Sequence, residues 1–174
     1  MKTVARTARG YKLSYKKKSA TTDSYIPRGA SKKTAVCEGC HAVYQNKRWS
    51  ADTELYDRVM ENPAVATLVC PACLKIRDNF PGGIVTLKGH YVLPHKQDLM
   101  NLIKNEEERA RGFNPLERIM TIKENGHGSL VVTTTNEKLA QRLGRALKKA
   151  FHGAVAYQWS HDNKLVRVDW ERTA

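Results

Sequence analysis

Four cysteines arranged as two C-x-x-C pairs constrain the fold of this chain more than any other feature of its sequence. Cys37 and Cys40 stand in C-E-G-C, and Cys70 and Cys73 stand in C-P-A-C. Two intervening residues let both sulfurs of a pair reach one ion from a single tight turn, and two such pairs complete a tetrahedral site. The spacing therefore predicts one Zn²⁺ ion. Because thiolates fill all four positions, the predicted zinc is structural rather than catalytic.

The composition around the pairs favours metal binding over the other uses of cysteine. We expect backbone N–H groups of each turn to donate to the sulfurs, Gly39 to suit the unusual backbone angles of its turn, and Pro71 to pre-set its own φ. Residues 1–10 show no apolar stretch after their positive charges, so no secretory signal is expected and the thiols should stay reduced in the cytoplasm. A thioredoxin-like redox pair is the alternative, although the βαβ context that it needs is absent.

Positive charge is concentrated at one end of the chain. Lys and Arg total 30 against 17 Asp and Glu among 174 residues, a net charge of +13. Residues 1–36 hold ten of the bases and a single acid, Asp23, so they carry +9 and the remaining residues carry +4. This segment has few large apolar residues and no hydrophobic period, so it cannot bury enough surface to offset its ordering entropy. We predict a basic N-terminal arm that is disordered on its own.

The arm also carries aromatic residues among its bases, a pattern that favours a segment ordering on RNA. Tyr11, Tyr15 and Tyr25 interleave with the lysine run at 16–18. Rings stack on unpaired bases while Lys and Arg neutralise phosphates. A merely solubilising arm is the alternative, and a membrane-surface role is disfavoured because no amphipathic period is present. The predicted RNA contacts of the arm are Arg6, Arg9, Tyr11, Lys12, Tyr15, Lys16, Lys17, Lys18, Arg28, Lys32 and Lys33.

Hydrophobic periodicity divides the rest of the chain into two segments. Residues 37–97 are predicted to form a zinc-ribbon-like module with a helix at 52–61 and a strand at 84–87. Residues 98–174 are predicted to begin with a helix at 98–112, followed by strands and a covering helix in the order ββαββ. The fold class expected is therefore α+β, with the arm, the zinc-binding module and an α+β RNA-binding domain in that order.

One face of the covering helix is basic, and the helix contains no acid after its first residue. Exposed helices usually interleave opposite charges, so an uncompensated row favours contact with RNA phosphates, the alternative being an ordinary solvated face. The Glu run at 106–108 is expected to be solvated surface. The predicted RNA contacts on the covering helix recur at steps of four, three and four residues, and they are Lys138, Arg142, Arg145 and Lys149.

Taken in order, the two C-x-x-C pairs, the segment 131–153 and the closing strand Val166-Arg-Val-Asp-Trp170 resemble a known family. It is the ribosomal large-subunit export adaptor family of eukaryotes and archaea (the nonsense-mediated decay protein three family), together with its small bacterial relatives. The resemblance spans residues 37–171, and segment 134–147 is its most specific part. Members of that family bind large-subunit ribosomal RNA and carry zinc through paired C-x-x-C motifs. Their further cysteine pairs and domains are not found in this sequence, so no nuclear export role is implied.

The resemblance implies binding to ribosomes, the large subunit favoured, or to ribosomal RNA by a stand-alone bacterial factor in the cytoplasm. A hibernation-type role in protecting idle ribosomes is the preferred expectation. Assembly of the large subunit is the alternative, and a DNA-binding, transcription-associated zinc protein is a second alternative. The sequence has no phosphate-binding loop, nucleophile elbow or catalytic metal motif, so we do not expect an enzyme. Neither a membrane nor a small-molecule substrate is expected as a partner.

Overall fold

The computed structural model describes residues 23–26, 33–125, 128–160 and 164–173, and over these residues the chain is a mixed α+β structure with two sheets and four helices. The predicted α+β class is therefore confirmed. The elements, in chain order, are β1 Ala35–Cys37, β2 Val43–Gln45, β3 Arg48–Ser50, α1 Thr53–Met60, β4 Ala66–Leu68, α2 Pro71–Arg77, β5 Gly83–Lys88, α3 Lys96–Phe113, β6 Ile119–Glu124, β7 Leu130–Thr134, α4 Glu137–Phe151, β8 Ala154–Trp159 and β9 Val166–Glu171.

The first cysteine pair lies at the smaller sheet, whose strands run in the order β3-β2-β1-β4. β1 pairs antiparallel with β2 and parallel with β4, and each strand has three residues. β2 and β3 form a hairpin whose turn residues, Asn46 and Lys47, both take positive φ, as a two-residue turn of matching twist requires. Strands this short carry no alternating pattern, which is why the sequence does not predict them.

The helix predicted between the two cysteine pairs is present as α1. Its N-cap is Asp52, whose side chain accepts hydrogen bonds from the backbone N–H groups of Glu54 and Leu55. Such a cap typically stabilises a helix by about 1 kcal/mol. The second cysteine pair is built into the start of α2, because Cys70 is the N-cap and Pro71 is the first helical residue.

The larger sheet has five strands in the order β6-β7-β5-β9-β8. β5 is its central strand, antiparallel to β7 and parallel to β9. From sequence this strand is assigned to the zinc-binding module and four strands are expected here, so the ββαββ layer is corrected to five strands around β5. The inward-facing Val85 and Leu87 alternate with half-buried neighbours, and a pattern of that kind does not reveal which sheet a strand joins.

Helices α3 and α4 cover one face of the larger sheet. α4 directs Leu139, Leu143 and Leu147 into the core, where they meet the inward side chains of β5, β7 and β9. Gly83 allows α4 to approach β5 closely, since a Cβ there would lie 2.4 Å from the Cβ of Ala140. α3 packs beside α4 and contributes to the same core. Among the described residues, no helix has both the length and the apolar character needed to cross a bilayer.

A buried ion pair connects α2 to the residues that precede the small sheet. Lys75 is only 5% exposed, and its Nζ lies 2.5 Å from Oδ2 of Asp23. The same ammonium donates a hydrogen bond to the carbonyl oxygen of Thr135 at 3.1 Å. Because Thr135 lies between β7 and α4, Lys75 holds three separate parts of the chain together.

The predicted arm overlaps the folded body at its C-terminal end. β1 begins inside the predicted range of 1–36, with Ala35 buried. The hydroxyl of Tyr25 donates a hydrogen bond to Asp78 at 3.1 Å. Since these residues make specific contacts with the body, the arm is hereafter residues 1–22, which lie outside the described residues.

Replacing Asp23 with Asn should destabilise the folded protein by about 3 kcal/mol, because the ammonium of Lys75 then stays buried without its counter-ion. Adding Lys75→Met should recover most of that loss, since methionine leaves no charge unpaired. Chemical denaturation followed by circular dichroism measures both effects. Asp57→Asn on the exposed surface of α1 is the control, and an equal loss in the single and double variants would contradict this role for the ion pair.

Candidate metal centre and cationic surface

The four cysteines form one cluster. Their sulfur atoms all lie within 4.8 Å of one another, and the Cys37–Cys73 and Cys40–Cys70 sulfurs are 3.8 and 3.6 Å apart. A tetrahedron of sulfurs at the usual Zn–S distance of about 2.3 Å has sulfur separations of about 3.8 Å. The cluster can therefore hold one metal ion, and the four ligands predicted from sequence are the residues that the fold brings together.

Parallel pairing of β1 with β4 brings the two cysteine pairs side by side. In this register Cys37 lies opposite Leu68, two residues before Cys70. Cys40 then comes from the turn that follows β1, and Cys73 comes from the first turn of α2. Each pair thus occupies the end of an extended segment and the turn or helix that follows it.

Backbone N–H groups donate to the sulfurs, as predicted from the turns. The N–H of Cys70 donates to Sγ of Cys37 at 3.2 Å, and the N–H of Cys73 donates to Sγ of Cys70 at 3.4 Å. A hydrogen bond with Cys70 lowers the pKa of Cys40 to about 4, and the same bond, together with burial, raises the pKa of Cys70. The hydrogen bond thus favours one ionised and one protonated sulfur in this pair, and ligation of a metal by cysteine requires the thiolate form.

Gly39 serves the cluster through its missing side chain and not through unusual backbone angles. Its φ is not positive, and the left-handed conformation falls on His41, at φ 61°. A Cβ at position 39 would lie 3.1 Å from Sγ of Cys73 and 4.0 Å from Sγ of Cys37. The prediction about backbone angles is therefore wrong, and the close approach of the sulfurs is the physical reason for glycine here.

Arg118, at the entry to β6, contacts the cluster and is not predicted by the sequence. Its Nη1 donates to Sγ of Cys73 at 3.3 Å, and its backbone N–H is held by Oγ1 of Thr135 at 2.9 Å. Four thiolates around one divalent ion carry a net negative charge, and a half-buried guanidinium offsets part of it. Arg118 lies 45 positions from Cys73 in the chain, so no local motif indicates it.

Of the four basic residues predicted to form a row on α4, one is held in an ion pair. Lys138, Arg145 and Lys149 are exposed, and no carboxylate of the described residues forms an ion pair with them. Arg142 instead points towards α3, where its Nε lies 2.7 Å from Oε2 of Glu106. The acid missing from α4 is therefore supplied by the neighbouring helix. The cationic row is hereafter Lys138, Arg145 and Lys149.

The Glu run at 106–108 is partly structural, which corrects the expectation of a solvated surface. Glu106 forms an ion pair with Arg142, and both side chains are partly buried. Glu107 accepts a hydrogen bond from the backbone N–H of Ile119 at 2.7 Å. These two acids fix α4 and the start of β6 against α3, because each satisfies a charge or a donor on a different element.

Most of the RNA contacts predicted for residues 1–36 lie outside the described residues, so they stay predictions. Lys33 is described, and it is exposed two residues before β1. The remaining RNA contacts predicted for residues 1–36 all lie outside the described residues, and they are Arg6, Arg9, Tyr11, Lys12, Tyr15, Lys16, Lys17, Lys18, Arg28 and Lys32.

Comparison with protein-family models, with curated proteins and with solved structures gave no match. The resemblance to the export adaptor family therefore stays an expectation from the sequence.

Replacing Arg118 with Ala should weaken metal binding about tenfold, because residues that support metal ligands typically contribute 10- to 100-fold to affinity. Arg118→Lys should retain part of that affinity, since it keeps the charge but not the geometry of the guanidinium. Competition with a chromogenic chelator measures the metal affinity of each variant. Arg111→Ala, at the exposed end of α3, removes an equal charge as the control, and unchanged affinity in Arg118→Ala would rule out its role at the cluster.

Proposed function

We propose that this protein is a ribosome-associated RNA-binding protein whose small sheet is held together by one structural Zn²⁺ ion. Zinc is favoured among metals because four thiolates at tetrahedral separations suit its ligand preference. Sulfur ligands from Cys37, Cys40, Cys70 and Cys73 leave no position for a substrate on the ion. We therefore assign the ion to stability and propose no catalytic role for it.

The observation that carries the RNA-binding proposal is that Asp23, which follows the arm in the sequence, lies where the cationic row begins. Asp23, the first described residue, lines a cavity of about 210 Å³ together with Asn136 and Lys138 at the start of α4. Residues 1–22 contain seven bases and no acid. Because the ion pair with Lys75 holds Asp23 in place, the seven bases precede a residue that is fixed close to Lys138.

The cationic row extends this charge along the folded surface. Lys138 and Lys149 are separated by about 16 Å along the helix axis, and Arg145 lies between them. Lysine and arginine placed along a nucleic-acid backbone displace counterions, which supplies salt-dependent affinity without reading sequence. The combination supports a protein that holds RNA phosphates through the arm and the row together.

Ribosomal RNA of the large subunit is proposed as the target on the strength of the sequence resemblance. A basic arm that occupies a functional RNA channel needs no chemistry, so we favour protection of idle ribosomes over assembly of the large subunit. Cross-linking on ribosomes from starved and growing cells separates the two roles. Protection predicts cross-links to mature ribosomes of starved cells, whereas assembly predicts cross-links to immature particles of growing cells.

Metal analysis should find one zinc ion per chain, and Cys40→Ser should remove it. Loss of the ion should unfold the small sheet, because structural zinc sites rarely stay folded without metal. Thermal melting followed by circular dichroism, together with the zinc content, tests this. Glu38→Gln, an exposed neighbour in the same turn, should keep both the zinc and the melting temperature. A zinc-free Cys40→Ser variant with an unchanged melting curve would contradict the assignment.

Wild-type protein should co-sediment with ribosomes in low-salt sucrose gradients and should be released steeply as salt rises. Replacing Lys138, Arg145 and Lys149 with Ala should reduce the slope of log affinity against log salt by about 2 to 3, since each phosphate contact contributes about 0.7 to 0.9. Affinity for ribosomal RNA at several salt concentrations gives the slope.

The matched control removes three exposed charges away from the row, and it should leave the slope unchanged. It replaces Lys47, Lys104 and Arg111 with Ala. Wild-type protein that remains at the top of the low-salt gradient would exclude the ribosome as its target. Equal affinity for duplex DNA and ribosomal RNA would favour the transcription-associated alternative.

A further inference from the structure

An exposed aromatic side chain stands at the edge of the larger sheet, beside the cationic row. β8 is the edge strand there, and alternate residues of it face the helices, because their partners on β9 belong to the core. Trp159 is opposite the buried Val166, yet it is 56% exposed. Trp170, by contrast, is fully buried and donates to the carbonyl oxygen of His152 at 2.7 Å. Burial in the core therefore does not explain Trp159.

The ring of Tyr157 packs against the indole of Trp159. The two rings are stacked, with centroids 5.9 Å apart and planes 21° apart. Tyr157 in turn lies against α4 at Gly144, where a Cβ would come within 2.9 Å of the tyrosine hydroxyl oxygen. Because α4 is fixed in the core, the stacked pair has a rigid support on one side and solvent on the other.

One residue of the cationic row, Arg145, lies near this aromatic pair. Arg145 follows Gly144 directly in the helix, and its positive charge opposes the rise that burial causes in the pKa of Tyr157. Lys148 lies one turn beyond Gly144, on the side of α4 that faces β8. The aromatic pair is thus bordered by positive side chains.

The acids of β9, the strand that pairs with β8, lie on the other face of the sheet. Asp169 and Glu171 are opposite Ala156 and Ala154, which alternate with Tyr157 and therefore point away from α4. β8 itself contains no acid. An apolar partner protein would gain nothing from such a charge pattern, whereas a nucleic acid carries both a π face and a negative backbone.

We propose that Trp159 and Tyr157 form a stacking platform for unpaired RNA bases, with Arg145 holding the adjacent phosphate, so that the protein prefers single-stranded over double-stranded RNA. This inference rests on the proposed RNA-binding function and specifies the class of RNA. Bases inside a duplex are already stacked on one another, so the platform gains only from bases that are free.

Binding of the full-length chain to a uridine oligomer and to an RNA duplex of equal length tests this proposal. Trp159→Ala should weaken binding to the single strand about tenfold and leave duplex binding unchanged, because stacking on an aromatic ring contributes on that scale. Trp159→Phe should retain most of the affinity. Phe113→Ala removes an aromatic ring that is 88% exposed at the end of α3, and it should change neither.

Tryptophan fluorescence provides a readout that a merely structural role would not produce. Stacking of a base on Trp159 should quench the emission of wild-type protein as the uridine oligomer is added. That quenched component should be missing in Trp159→Phe, even though the variant still binds. Melting curves of all variants should match the parent, since the indole is exposed.

The outcomes separate this inference from the proposed function. If wild-type protein binds neither RNA, the proposed function itself fails. If it binds both RNAs and Trp159→Ala behaves like the parent, or loses affinity for both equally, the platform is overturned while RNA binding stands. A change in the mass of the protein in solution caused by Trp159→Ala, without an effect on RNA, would show an interface between copies and would also overturn the platform.

Discussion

Four cysteine sulfurs lie within 4.8 Å of one another, close enough to hold one metal ion, and we propose that the small sheet depends on that ion. Its strands are three residues long, and the side chains that it buries completely are mostly alanine, valine and cysteine. Such small groups remove little apolar surface from water, too little to offset the entropy of ordering the backbone around them. In the proposed metal-bound form, the ion therefore takes the place of a hydrophobic core in this part of the molecule.

The same helix that completes the metal cluster also positions the start of α4. Cys73 of α2 accepts a hydrogen bond from Arg118, and Lys75 of α2 donates to the carbonyl oxygen of Thr135. Arg118 directly precedes β6 and Thr135 directly follows β7, and these two strands lead into α4. The location of the cationic row is thus tied to the metal cluster through two charged contacts. Because Lys75 also pairs with Asp23, the place from which the arm departs is set by the same helix.

Charge in the folded body is divided between paired and unpaired groups by the packing of α3 against α4. Glu106 of α3 neutralises Arg142, whereas the three bases of the cationic row form no ion pair with a carboxylate of the described residues. The acids of β9 lie on the face of the sheet opposite the helices. The exposed Trp159 of β8 therefore lies on the same side of the sheet as α4, and the acids of β9 lie on the opposite side.

The sequence by itself determined those features that depend on neighbouring positions. Helices α1 and α4 follow from their N-caps and a period near 3.6, α3 follows from its period, and the cysteine ligands follow from two spacings of three. Tertiary structure alone decided that β5 is central in the larger sheet, that Arg118 reaches a sulfur, and that Arg142 has a partner on α3. Capping and periodicity act within one or two turns of the chain. The two arginine contacts instead join residues 36 or more positions apart, and the apolar pattern of β5 fits a strand of either sheet. The partners in these contacts depend on which surfaces pack together in the folded chain, and local sequence patterns do not indicate that packing.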